Sequence, residues 1–308
     1  MNIYHPAKIA KGLKREINII TTVKVKEIES LIKLLDDPDF EISSHVEEKL
    51  LSYGNEIIGY LESAWEQSLD SILQEKIENL LHKIQFQNVK TDLQLWHLGG
   101  SFDLLQGMLI INRFQYPDLD ELKIINQIEE IKRNVWMQML YEMSAIEKIK
   151  LINHVFYGTY GFSGNTTNHQ DPNNSYLSHV LDTKRGNQIS LAVIYSIIAQ
   201  KLDIPVYGVN LPQHFILAYV DSSQDNDFQN GILFYINAFN KGFIFGRRDV
   251  DSFLKQLNIT PDKQFYEPCT NDEIIQRVLR NLISSYDKQS APHKVSELEE
   301  LLEIFQPL

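Results

Sequence analysis

The sequence predicts an α+β fold in which a helical first half gives way to one buried helix followed by short antiparallel strands. Three observations carry this. Apolar residues recur at helical spacing from Val25 to Phe86. The segment ISLAVIYSIIAQKL is apolar nearly all round, as a helix enclosed by other elements must be. After it, VYGVN, HFILAYV and ILFYINAF are β-branched and aromatic, of strand length, and separated by polar turns such as DSSQDNDFQNG. A buried helix followed by consecutive strands argues for α+β and against a doubly wound sheet.

The helical spacing runs through the blocks Ile28-Leu31-Ile32-Leu35, Ile42-Val46-Leu50-Leu51, Ile57-Ile58-Leu61 and Ile72-Ile77-Leu80-Leu81-Ile84, each an amphipathic helix. Between the first two lies Asp36-Asp37-Pro38-Asp39. Proline cannot continue the preceding helix, and aspartate suits the start of the next. Gly54 marks the following break. The phrase LIKLLDDPDFEISSHVEEKLLSYGNEIIGYL resembles one HEAT-type unit, and an ordinary helical bundle fits it equally well, since a solenoid needs about 3 units to bury its faces.

SFDLLQGMLIINRFQYPDLD reads as a helix ending before Pro117, and ELKIINQIEEIKRNVWMQM as a longer amphipathic one. AIEKIKLINHVFYGTYGF continues the pattern and dissolves into GFSGNTTNHQDPNNS, whose Gly, Asn, Asp and Pro predict a long surface loop. YLSHVLDTK is a further short helix before the buried one. In the tail, Thr270-Asn271-Asp272-Glu273 has the form of a capping box before IIQRVLRNLI. That places Cys269 just outside a helix, where it could pack on Ile274 as a structural residue.

The formal net charge of −12 repels phosphate backbones and anionic lipid, so neither nucleic acid nor a membrane surface is expected as a partner. Clusters such as Lys8-Lys11-Lys14-Arg15 and Arg247-Arg248 are short and read as solvated surface. A single cysteine offers no intramolecular disulfide, the N-terminus has no apolar signal region, and no stretch approaches the ~18 apolar residues of a membrane span. A cytoplasmic location is therefore expected. His154, His169 and His179 lack ligand spacing and Gly99-Gly100 lacks a phosphate-loop context, so no metal or cofactor is expected.

Three residues could carry chemistry: Ser190 opening the buried helix, His214 opening a strand, and Asn237 inside the next. Nucleophile, base and orienter occur in that order, and the helix start supplies N–H groups for a developing oxyanion. The motifs Arg185-Gly186-Asn187-Gln188-Ile189-Ser190-Leu191, Pro212-Gln213-His214-Phe215 and Asn237-Ala238-Phe239 resemble the core of the transglutaminase-like superfamily, in its bacterial SirB-type, core-2 branch. The resemblance is good over residues 151–239 and extends to GMLIINRFQYPDLD and the tail IIQRVLRNLISSY.

It implies a papain-type domain over residues 148–268, with a core helix packed on an antiparallel sheet. A helical domain over 1–147, either HEAT-like or an ordinary bundle, precedes it and a helical extension over 269–308 follows. Members of the family use Cys-His-Asp, whereas these positions hold Ser190, His214 and Asn237. A serine hydroxyl is too basic to be held as an anion by a helix terminus, so it needs true general-base removal of its proton.

Two functions follow. One is a non-catalytic member that binds a protein or peptide through its helical surface and vestigial cleft. The other is a Ser-His-Asn hydrolase or acyltransferase acting on amide or ester bonds.

Overall fold

A computed structural model describes residues 24–221 and 231–306. The basic cluster at Lys8–Arg15, the N-terminal reading and most of the polar turn after Asp221 lie outside these residues. The chain divides into two compact units at Asn88/Val89.

In the first unit, helical residues 24–32 (α1), α2 (Phe40–Leu51), α3 (Ile58–Gln67) and the start of α4 (Ser71–Leu98) surround one core. That core contains Ile28, Ile32, Leu35, Val46, Leu50, Ile57, Leu61, Ile77, Leu80 and Ile84. These are the apolar positions of the sequence blocks, and their burial supplies the stability that isolated helices of this length lack. Asp39 caps α2 by accepting from Glu41 N–H at 2.9 Å, as expected for aspartate after the proline turn.

The second unit begins within α4 and continues through α5 (Leu104–Gln115), α6 (Glu121–Trp136) and α7 (Ala145–Asn153). Residues His154–Thr159 prolong α7 as a π-helical turn. On α6 the buried Ile124, Ile128, Ile131 and Val135 keep the helical period. Asn112 of α5 is fully buried yet satisfied: its amide donates to Met108 C=O and its oxygen accepts from both N–H and Oγ of Ser178.

Two short parallel strands follow, β1 (Ser163–Gly164) and β2 (Arg185–Gly186), with α8 (Leu177–Thr183) between them. Then comes α9 (Gln188–Gln200), in which every residue from Ile189 to Ala199 is buried. The antiparallel sheet runs in the order β3 (Val206–Val209), β4 (Ile216–Val220), β5 (Ile232–Asn237), β6 (Phe243–Phe245). A register shift at Tyr219/Val220 interrupts the β4–β5 ladder.

Pairing Val209 with Ile216 and Ala218 with Tyr235 sets these four on one face of the sheet, where they pack with Val250 and Leu254 of α10 (Arg247–Gln256). The alternate residues, among them Leu217 and Tyr219, point to the other face, and α9 packs against β3 and β4. Helices α11 (Asn271–Lys288) and α12 (Pro292–Glu303) complete the unit. The fold is thus α+β, as expected: a helical N-terminal region, then a buried helix with a small antiparallel sheet.

Candidate functional site

The site is built around the first turn of α9. Asn187 is its N-cap: the side-chain oxygen accepts from Ser190 N–H at 2.9 Å, and the amide donates to Ser175 Oγ at 2.8 Å. Ser190 returns the bond. Its Oγ accepts from Asn187 N–H at 3.0 Å and lies 3.3 Å from Asn187 C=O, to which the hydroxyl donates. This reciprocal capping box encloses the hydroxyl, and Ser190 is fully buried, at 0% exposure. Gly186 makes room for it, because a Cβ there would lie 2.6 Å from Ser190 Oγ and 3.0 Å from Val180. Glycine is required next to the capping serine by this close approach.

The stretch GFSGNTTNHQDPNNS is exposed over residues 166–170, as expected of a surface loop, but its end at Pro172, Asn174 and Ser175 is buried beside the start of α9. Asn174 and Ser175 are 0% and 1% exposed. Asn174 accepts from Asn165 at 2.9 Å and donates to Asn168 C=O at 2.7 Å, while its own C=O accepts from Asn187 N–H. Through these bonds Asn174 ties the exposed part of the loop to the N-cap of α9.

His214 follows Gln213, whose backbone is left-handed (φ 60°), and its N–H donates to Leu211 C=O. The imidazole meets Phe253 of α10 edge-on, with centroids 4.9 Å apart. Burial, and secondarily the positive charge of Arg277, lower its pKa, so the ring is neutral near pH 7. Asn237 caps a turn: its Oδ1 accepts from Asn240 N–H at 3.0 Å and its C=O from Gly242 N–H at 2.9 Å. Each of the three therefore has a local partner. No hydrogen bond joins Ser190, His214 and Asn237 to one another among the described residues.

The neighbours of these residues are what open onto solvent. A cleft of about 360 Å3 lies over the start of α9, lined by Asn187 and Gln188, by Gln213 and Phe215, and by Phe239. Phe215 and Phe239 are the phenylalanines that end the His and Asn motifs, and Phe239 covers Gly164, where a Cβ would lie 2.4 Å from the ring. The far wall is one stripe of α11, formed by Arg277, Asn281, Ser284, Ser285 and Lys288. Spacings of four, seven, eight and eleven residues put these on one face, opposite the buried Val278, Leu279, Leu282 and Tyr286. That polar periodicity is visible in the sequence, although nothing there says which element it faces.

Cys269 is structural. Its thiol donates to Gly208 C=O at 3.3 Å, and burial, reinforced by Glu273, pushes its pKa up to about 12. Thr270 and Glu273 form the predicted capping box beside it.

A family model for the transglutaminase-like superfamily matches residues 122–280, about half of the chain, including Ser190, His214, Asn237 and the cleft lining as far as Arg277. The chain belongs to the transglutaminase-like superfamily. It is 31% identical over 215 residues to a UPF0162 protein of Xylella fastidiosa, covering 63% of this chain and 70% of that one. To Protein SirB1 of Salmonella typhimurium it is 24% identical over 208 residues, or 66% of this chain and 74% of that one. F-box only protein 21 of Mus musculus is 26% identical over 171 residues, which is 53% of this chain and 27% of the mouse protein. No solved structure matches. Among the described residues no helix is long and apolar enough to cross a membrane.

Proposed function

We propose that this transglutaminase-like protein is a non-catalytic module that holds a peptide segment of a partner protein in the cleft over α9. The observation that carries the proposal is the condition of Ser190. Its hydroxyl is fully buried and exchanges hydrogen bonds with the backbone of Asn187. A nucleophile must approach its electrophile to about 3–3.5 Å, and this oxygen must leave the capping box before it can do so. The thiol that makes attack easy in the family is absent from the position.

The cleft is of the size at which small ligands and short peptide stretches are held. Its amides can pair with peptide N–H and C=O groups, and the half-buried Phe239 gives side chains apolar surface. In the mouse relative the matching region is about a quarter of a longer chain, which suits a reusable module.

A fluorophosphonate probe tests this directly. Labelling of the wild type no greater than that of Ser190→Ala is expected, and Ser190-dependent labelling overturns the reading. A second reading, a Ser190-His214-Asn237 hydrolase or acyltransferase, draws on one observation: the lowered pKa of His214 keeps it in the neutral form a general base needs. Ser190→Cys separates the two. An ordinary thiol pKa, followed by iodoacetamide alkylation against pH, agrees with the non-catalytic module, whereas a strongly depressed one favours the hydrolase.

A further inference from the structure

The charges of the cleft are opposite to those of the molecule. The chain carries a formal −12, yet the charged residues lining the cleft are Arg277 and Lys288, with His169 beside them and no aspartate or glutamate. Arg277 is half-buried, and its guanidinium donates to the side-chain oxygen of the neutral Asn210, at 3.1 Å. Among the described residues no carboxylate lies within ion-pair distance of it. Burial, and then repulsion from Arg280, lower its proton affinity, the direction expected of a cation without a counter-charge. Across the cleft, Gln188 and Ile189 open α9, so the positive end of that helix faces the same space.

The geometry points to a carboxylate subsite: the cleft binds an acidic peptide segment with one carboxylate paired to the Arg277 guanidinium and Lys288 adding attraction at the rim. This rests on the peptide-binding reading above and adds the ligand's charge. Arginine presents a planar fork of donors that matches a carboxylate, so the side chain positions the ligand as well as attracting it. The carboxylate can belong to an aspartate or glutamate side chain or to a chain terminus, and the chemistry is shared.

Equilibrium dialysis of the full chain against three pools of acetylated hexapeptides tests the inference. The first pool carries Asp or Glu at alternate positions and ends in an amide, the second is neutral with a free C-terminal carboxylate, and the third is neutral and amidated. We expect the first or second pool to be retained at least about tenfold better than the third, a difference of ~1.4 kcal/mol. Which of the two is retained identifies the source of the carboxylate. Arg277→Met should remove the preference and Lys288→Gln weaken it, while Arg280→Met, exposed on α11 outside the lining, should leave it intact.

Equal retention of all three pools, or a preference that survives Arg277→Met in a variant whose melting curve shows it folded, overturns the carboxylate subsite and leaves peptide binding standing. Retention of none overturns both. Cleavage of the acidic pool by wild type and not by Ser190→Ala overturns the non-catalytic reading alone. Lys288→Gln, exposed at the end of its helix, keeps the test decisive should Arg277→Met fail to fold.

Discussion

At the scale of single residues, hydroxyl, imidazole and carboxamide are each spent on the local backbone or a neighbouring ring. Gly186 is the tightest point. In Gly186→Ala the new methyl meets Ser190 Oγ and Val180, and the expected outcome is a loss of about 1–3 kcal/mol in urea-melt stability, as for other overpacked sites. His214 makes a pH-dependent contribution of definite sign. Its folded pKa lies below the unfolded value near 6.5, so its share of stability is present above pH 6.5 and is lost as the pH falls through the folded pKa. His214→Gln should therefore flatten the decline in melting temperature from pH 6.5 towards 5, and an unchanged slope counts against this account. Cys269 behaves in the opposite sense to a reactive thiol. With its pKa near 12 it should resist iodoacetamide at pH 8 in the native protein and react readily in urea.

At the scale of elements, the start of α9 is held from both sides of the N-cap. Asn187 satisfies Ser190 N–H and ties Ser175, so Asn187→Ala removes a cap and leaves a buried hydroxyl without its donor. A loss of about 1–2 kcal/mol in denaturant melts is expected. Helix α11 has two faces with different consequences. Leu282 is fully buried, and Leu282→Ala should cost about 2–5 kcal/mol. Asn281 lies on the cleft stripe, so Asn281→Ala should change stability by no more than about 0.5 kcal/mol. In the asparagine-rich loop, composition indicates the exposed residues 166–170 but not the burial of Asn174 and Ser175, which depends on their bonds to Asn165, Asn168 and Asn187.

At the scale of the molecule, excess negative charge coexists with a cleft whose charged side chains are basic. The net field opposes nucleic acid, and a gel-shift experiment at about 0.15 M salt should show no retention of duplex DNA or RNA. Periodicity carries much of the architecture. Strict helical spacing on α2, α3 and α6, and the β-branched runs of β4 and β5, specify elements whose apolar faces must meet. Family membership was legible for a related reason. Arg185-Gly186, Pro212 to Phe215 and Asn237 to Phe239 combine residue types and backbone constraints that ordinary core positions do not, and the family match spans all three motifs.

The sequence alone specified the helices of the first half, the strands β3 to β5, the position of the buried helix, the missing thiol and the caps at Asp39 and Thr270, because each depends on spacing or on neighbours within a few residues, whereas β1, β2, β6 and α10 left no such signal. Only the tertiary structure decided that Ser190 is enclosed by its own cap, that His214 rests on Phe253 of α10, and that the stripe from Arg277 to Lys288 closes one side of the cleft. Those contacts join residues far apart in the chain. The direction of a side chain across a sheet or along a helix is set by which elements pack together, and no local pattern encodes that choice.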